Sequence, residues 1–518
     1  MTKTVRLGRT APVKREPEKL EEKSFDLIVI GGGIHGAGIA RDAALRGLSV
    51  ALIEKGDFGS GSSSRSSKMI HGGLPHLEHF RFGSVREALH ERSILLRIAP
   101  QVTRLVRFIT PIYKEDPRGP FRIRTMLRLY DYLAGDPSIQ PHRYLSPAEI
   151  MEIQPSIERN GLLGAGVYMD AVVDDARLCF LNVLDAYRAG AVCVNYVEAK
   201  EFLWSGGAIS GVRAMEVKDM REVDILGKVV VNATGPWADL TCRLDSTEKD
   251  RTYVRLTRGV HIVVPLCLSG DALSISARKD GRAFFVIPWG NVSIVGTTDN
   301  DFRGHPDTVP VEQEEIDYLL NETARVLPRA RLDRSSVLYA YAGLRPFVKS
   351  DRFMPRREHR IVEHKSGLIS VIGGRYTTYR AVAEQVVDLV IRRNNISAAR
   401  PCQTATRVLP GAEIDDMALF IQDRKTTWRE RLPGSERHVE FLVRRYGVDS
   451  ETILELALQD PRLLQPIAGG LPNILAEIVY SHLHEMGITM EDVLRRRLGI
   501  SLMGISQDAV ERRIQTVV

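Results

Sequence analysis

Apolar and polar positions change rhythm several times along the chain, and each change marks an element. Residues 25–30 are a short apolar run, the pattern of a buried strand. From residue 34 to 47 Ile34, Ala37, Ala40 and Ala44 recur at helical spacing, and residues 48–54 are a second apolar run. Strand, helix and strand in this order predict a βαβ unit with parallel strands, because the crossover is right-handed. Residues 84–100 predict a helix ending before Pro100. Residues 229–231 predict a strand leading into Asn232-Ala233-Thr234-Gly235. Residues 260–265, 283–288 and 292–296 alternate or run apolar and predict antiparallel strands. Residues 368–372 read as another buried strand, followed by Gly373-Gly374 and a helix through Ile391. Beyond about residue 410 only helical rhythm remains, at 436–446, 450–458, 472–486 and 489–498.

These elements predict an α/β fold with a Rossmann-like nucleotide-binding domain, an antiparallel-sheet substrate domain and an all-α C-terminal cap. The first domain takes residues 25–84, 161–250 and 340–400, and the second takes 85–160 and 251–339. Residues 401–518 form the helical part, with a boundary at Arg400-Pro401. Residues 1–24 are charged, poor in apolar positions, and read as a tail or marginal helix. A length of 518 residues suits two or three domains.

Composition changes this picture little. Hydrophobic content is 44% and charged content 26%, as in ordinary water-soluble chains. No apolar run is long enough to span a bilayer, and no secretory signal is visible. The five cysteines have no metal-ligand spacing and read as reduced thiols of a cytoplasmic protein, with no metal site expected. The formal charge of +6 favours anionic partners. No nucleic-acid-binding motif accompanies it, so nucleic acid is not expected as a partner.

Candidate chemistry begins at Gly31-Gly32-Gly33-Ile34-His35-Gly36, which lies between the first strand and its helix. Gly31 allows the tight turn, Gly33 lets a pyrophosphate approach the backbone, and Gly36 lets the helix pack on the sheet. The pyrophosphate then meets the helix N-terminus, where free N–H groups and the dipole favour an anion. Glu54, closing the second strand, is placed to accept the ribose hydroxyls. FAD and NAD share this turn. The following segment, Gly59 to Gly73, is rich in small hydroxyl residues suited to phosphate and ribityl oxygens and ends in Lys68-Met69-Ile70-His71-Gly72-Gly73. That segment selects FAD.

Here the sequence resembles the FAD-dependent glycerol-3-phosphate dehydrogenase family. The resemblance rests on Asp26–Gly33, Ser66–Leu74, Val173-Asp174-Asp175-Ala176-Arg177-Leu178 and Val231–Trp237, then on Gly259–Pro265, Gly296-Thr297-Thr298-Asp299, Gly343-Leu344-Arg345-Pro346 and Gly373–Arg380. These motifs occur in family order over residues 25–400, and the helical C-terminal part is similar more loosely. The resemblance implies a glutathione-reductase-like FAD fold. It also implies oxidation of a polyol phosphate, by default sn-glycerol 3-phosphate to dihydroxyacetone phosphate, with electrons passing to a membrane quinone. Placed on this chain, it makes His261 the candidate base and Arg345 the group over the flavin. Arg375, Thr378 and His76 become candidate substrate contacts. Gly31, Gly33, Gly36, Glu54, Ser62, Ser63, Ser66, Ser67, Lys68, His71, Gly73, Ala233, Thr234, Gly235, Thr298, Asp299 and Gly374 become candidate FAD contacts.

One departure affects the substrate. After His71-Gly72-Gly73-Leu74 the family has Arg-Tyr, and here Pro75-His76 stands instead. Losing a charge-assisted phosphate contact costs about 1.5–3 kcal/mol if nothing replaces it. Two readings follow: a longer substrate such as erythritol 4-phosphate, or a rearranged clamp from Arg345, Arg375 and His76. An oxygen-using oxidase of the same fold is a further alternative. Arg118, Arg122, Arg124 and Arg128, interleaved with Phe121, Met126, Leu127 and Tyr130, suit either a helix on anionic lipid or one packed inside the substrate region. The family habit favours peripheral binding on the inner face of the cytoplasmic membrane. The oligomeric state stays open, a homodimer among the options.

Overall fold

The computed structural model describes residues 12–268, 270–349, 359–394, 396 and 399–517. Strand β1 (Phe25–Ile30), helix α1 (Ile34–Leu45) and strand β2 (Val50–Glu54) form the expected unit, with β1 and β2 parallel. Both strands are buried almost throughout, which explains their unbroken apolar runs. The sheet runs His359–Glu363, Ile369–Gly373, Arg221–Asn232, β1, β2, Val192–Asn195. It is parallel apart from its His359–Glu363 edge. The hairpin Val197–Ser205 and Ala208–Glu216 extends the early half of Arg221–Asn232. Helix α1 packs beside Asp175–Arg188 and Tyr379–Arg393.

A second sheet is centred on Val254–Pro265, flanked by Val292–Gly296 and Tyr339–Val348, and continues through Ala283–Trp289, Ala272–Ser276, Thr103–Tyr113 and Leu162–Val173. Three segments divide differently from the expectation. Leu162–Val173 and Tyr339–Val348, grouped above with the nucleotide-binding segments, are strands of this second sheet, and the short strand Met69–Ile70 joins them at its edge. Each of the two long strands pairs along its length with a neighbour there, Thr103–Tyr113 and Val254–Pro265 respectively. Sequence order alone did not reveal those partners.

The N-terminal segment is also corrected in part. Residues 1–11 lie outside the described residues. Residues 12–24 hold a short helical turn at Pro17–Leu20 and are tied down in part: Leu20 is fully buried, Arg15 pairs with Glu216 and donates to the Asn195 carbonyl at 2.9 Å, and residues 21–24 are exposed. The C-terminal part is helical, with helices at Met417–Arg431, Glu436–Tyr446, Ser450–Gln459, Leu475–His484 and Gln507–Val517. Its core gathers Trp428, Val439, Leu442, Tyr446, Ile453 and Tyr480. It docks on the nucleotide-binding domain through buried and half-buried ion pairs. Arg177 meets Glu485 at 2.8 Å, Arg445 meets Asp174 at 2.8 Å, and Asp57 holds both Arg496 and Arg497.

Candidate active site

The turn between β1 and α1 consists of Gly31, Gly32 and Gly33. Gly31 has φ +106°, and a methyl group there would stand 2.8 Å from the Ala233 carbonyl oxygen. A methyl at Gly36 would stand 1.8 Å from the Gly31 oxygen. Gly33 precedes α1 and offers no side-chain cap; Ser63 takes the Ile34 N–H, and the remaining first-turn N–H groups are left for another acceptor. The Glu54 carboxylate accepts N–H bonds from Gly32 at 2.7 Å and Gly56 at 2.9 Å. Burial raises its pKa, and these two N–H groups oppose that shift. Thr234 donates to Asn232 at 2.7 Å, and Gly235 opens the short turn Gly235–Trp237 with φ +56°. A backbone without room for Cβ atoms, a helix end with only its first N–H taken and a fixed carboxylate fit the pyrophosphate and ribose of FAD.

The serine segment is pinned by its own hydroxyls. Ser62 donates to the Leu344 carbonyl at 2.6 Å, and Ser63 accepts from the Ile34 N–H at 2.9 Å. Ser66 donates to Asp175 at 2.7 Å, and Lys68 pairs with the same carboxylate. Ser67 shares a hydrogen bond with His261 Nε2 at 2.8 Å. These side chains therefore stitch the segment to the second sheet and to helices α1 and Asp175–Arg188.

His261 lies in Val254–Pro265 and is 2% exposed. Its ring stacks on Tyr341, with centroids 4.9 Å and planes 8° apart. Burial, then the nearby Arg345 and Lys68 charges, hold its pKa well below the ordinary histidine value, so the ring is neutral. Arg345 lies in Tyr339–Val348 and is half-buried. It donates to Thr297 Oγ1 at 2.9 Å and meets Asp299 at 3.2 Å. The Thr298 hydroxyl accepts from Val260 N–H at 2.9 Å and donates to Glu315 at 2.7 Å. Thr298 and Asp299 thus have protein partners that brace this strand and Arg345.

Arg375, His71, His76 and Gly73 gather in a second cluster. Arg375 donates to the Ser84 carbonyl at 2.8 Å. Gly73 has φ +77°, and a methyl there would stand 2.5 Å from the His76 ring and 3.1 Å from Arg375 Nη1. Burial, then Arg375, lowers the pKa of His71 to about 4 and of His76 to about 3. His76, in the short helical turn Leu74–His79, and Arg375 meet beside Gly73. Thr378 is buried just ahead of Tyr379–Arg393, and neighbouring Thr377 donates to the His71 carbonyl at 3.4 Å. Gly374 has φ +101° and abuts the His35 ring.

Sequence reasoning assigned no role to Asp175, Tyr341, Asp57 or His35. Asp175 had a signal, since it sits in the quoted Val173–Leu178 motif, and it anchors Ser66 and Lys68 together. Tyr341 had none, because its partners His261 and Ser66 are remote in sequence.

Comparison with known proteins gives consistent matches. Residues 26–389 match the family model described as FAD dependent oxidoreductase. Residues 402–518 match the C-terminal domain of alpha-glycerophosphate oxidase. The chain is 38% identical to a glycerol-3-phosphate dehydrogenase of Synechocystis sp., over 94% of this chain and 90% of that protein. It is 37% identical to the glycerol-3-phosphate dehydrogenase of Mycobacterium leprae, over 94% of this chain and 82% of that protein. Among solved structures, the FAD-complexed glycerol-3-phosphate dehydrogenase of Bacillus halodurans superposes with a TM-score of 0.80 at 29% identity, covering 97% of this chain and 93% of that one.

Proposed function

The chain belongs to the FAD-dependent oxidoreductase family, and we propose that it acts as a glycerol-3-phosphate dehydrogenase. It oxidises the C2 alcohol of sn-glycerol 3-phosphate to the ketone of dihydroxyacetone phosphate. The observation that carries this reading is the Synechocystis match over 94% of the chain, beside a family match over residues 26–389 that spans the cradle and both side-chain clusters. Bound FAD supplies the hydride acceptor. The FAD contacts are Gly31, Gly33, Gly36 and Glu54 in the cradle, with the backbone of the serine segment and Gly374.

The protein's own residues handle charge and proton. Arg345 orients the substrate oxygen and stabilises the negative charge that develops on it as its proton leaves, before hydride departure turns it into the ketone oxygen. Arg375, with neutral His76 beside it, binds the phosphate, a planar fork suited to that group. Their adjacency supports the rearranged clamp over a four-carbon substrate, because Arg375 stands at the turn where Pro75 brings no charge. His261 is the proton acceptor, and its neutrality leaves it able to accept. It reaches the substrate once the Ser67 hydroxyl rotates off Nε2. The half-buried His71 favours a second reading for the base, since it is neutral and lies beside Arg375 without that obstruction. The two are separated by His261→Ala and His71→Ala in anaerobic flavin reduction. His261→Ala is expected to slow reduction by about 10²–10⁴-fold with FAD still bound; an unchanged rate with a slow His71→Ala would transfer the role.

Electrons then pass to a membrane quinone, the acceptor that the family resemblance implies, and the protein lies on a membrane face. No helix among the described residues is long and apolar enough to cross a membrane. Helix Pro120–Ala134 buries Ile123, Met126, Leu127 and Tyr130, so three of the four interleaved apolar residues take the packed alternative and face the protein core. Phe121 remains 84% exposed, and Phe80 80% exposed. Glu78 joins their two segments through Arg118 and Arg122. These aromatics beside arginines support an interfacial contact. Flotation with anionic phospholipid vesicles is expected to carry the protein, and Phe80→Ser/Phe121→Ser to weaken it several-fold; equal recovery of both proteins would remove this surface.

A further inference from the structure

We infer that His35 is an FAD-binding residue whose imidazole hydrogen-bonds the ribityl chain of the cofactor. This rests on the flavoprotein reading above. His35 stands in the first turn of α1, one residue before Gly36, at the helix end that suits the pyrophosphate. Its ring lies over Gly374: a methyl on that glycine would stand 2.5 Å from Nε2 and 2.8 Å from Cε1. Gly374 has φ +101° and opens the loop into Tyr379–Arg393, and the family resemblance implies that its backbone approaches the isoalloxazine end of FAD. Close packing holds these parts together, since a methyl on Gly38, one helical turn on, would stand 2.8 Å from Tyr379. His35 thus bridges the pyrophosphate site and the flavin-ring site. The ribityl chain is the part of FAD that joins those two ends.

The chemistry of the side chain agrees with that place. The imidazole is partly exposed and forms no hydrogen bond among the described residues, and its Nε2 is enclosed without a partner. An unsatisfied buried polar atom is uncommon in a folded protein and points to a missing partner. Burial, then the His359 charge, lowers its pKa to about 4, so the ring is neutral at physiological pH. A neutral imidazole carries one donor and one acceptor, which suits a polyol hydroxyl. It suits a phosphate less well than a cation would. The nonpolar alternatives at this helix position would leave the ribityl hydroxyls to water or backbone.

A thermodynamic cycle on FAD binding tests this without turnover. Apoprotein is titrated with FAD and with 2′-, 3′- and 4′-deoxy-FAD, following flavin fluorescence, for the wild type, His35→Phe and His35→Gln. The wild type is expected to bind one deoxy-FAD about tenfold more weakly than FAD, the worth of one hydrogen bond. His35→Phe should bind FAD about tenfold more weakly and lose that discrimination, and His35→Gln should restore part of it. Equal discrimination by wild type and His35→Phe for all three analogues would overturn the inference. Should His35→Phe fail to fold, His35→Leu takes its place on the same criterion. Wild-type apoprotein that binds no FAD would instead refute the flavoprotein reading itself.

Discussion

Gly36→Ala is expected to yield a folded protein that does not retain FAD. The added methyl would stand 1.8 Å from the Gly31 carbonyl oxygen and 3.1 Å from its carbon. Backbone cannot step aside as a flexible side chain does. Either α1 moves away from the sheet or the turn opens, and both displace the helix end from the pyrophosphate. Forcing an atom into packed surroundings costs about 3 kcal/mol at the upper end, roughly a hundredfold in FAD affinity. Flavin absorbance per protein after gel filtration, beside circular dichroism for the fold, measures this. Wild-type flavin content in the variant would mean that the turn is not the cradle.

Asp57→Ala is expected to release the C-terminal helices from the nucleotide-binding domain. The Asp57 carboxylate is buried, and it accepts from Arg497 at 2.8 Å, from Arg496 at 2.5 Å and from Asn195 at 3.1 Å. Burial alone would raise its pKa, but Arg497 and Arg496 hold it below the usual carboxylate value. Its stabilising contribution is therefore present above the unfolded-state pKa and is lost as pH falls through the lower folded value. Removing the carboxylate leaves two guanidinium groups buried without their shared acceptor, although Arg496 keeps Asp492. Breaking a buried pair in this way costs about 3–5 kcal/mol. Chemical denaturation should show that loss, and limited proteolysis should begin near the domain junction. Asp57→Leu/Arg497→Leu should cost less than the sum of its parts, because it removes charge from both sides. Additive losses would mean that the pair is not coupled.

The parts of the fold that could be read from sequence are those fixed by local rhythm. The unit β1–α1–β2 shows two apolar runs around a helical stripe, and the helix Glu436–Tyr446 begins and ends at the residues its spacing predicts. Met417–Arg431 escaped notice because its exposed surface is polar nearly all round and only Ile421 and Trp428 are buried. The six residues Asp492–Arg497 form a π-helical turn, a local widening that apolar spacing does not distinguish from an α-helix. In the site, the glycine turn and Glu54 were legible because they act through adjacent backbone. The bond between Ser67 and His261 spans 194 positions, and that between Asp57 and Arg497 spans 440. Such pairs follow from the packing of whole sheets and helices, so neither partner marks the other in sequence. The same reason explains the serine segment: composition showed hydroxyls suited to a cofactor, whereas the fold gives Ser62, Ser63, Ser66 and Ser67 partners within the protein.

The central claim is that this chain passes hydride from sn-glycerol 3-phosphate to bound FAD. Anaerobic rapid mixing of the FAD-loaded protein with that substrate tests it most directly. The oxidised flavin band should bleach, with one dihydroxyacetone phosphate formed for each flavin reduced. A flavin that stays oxidised with glycerol 3-phosphate, yet bleaches with erythritol 4-phosphate, would contradict the account.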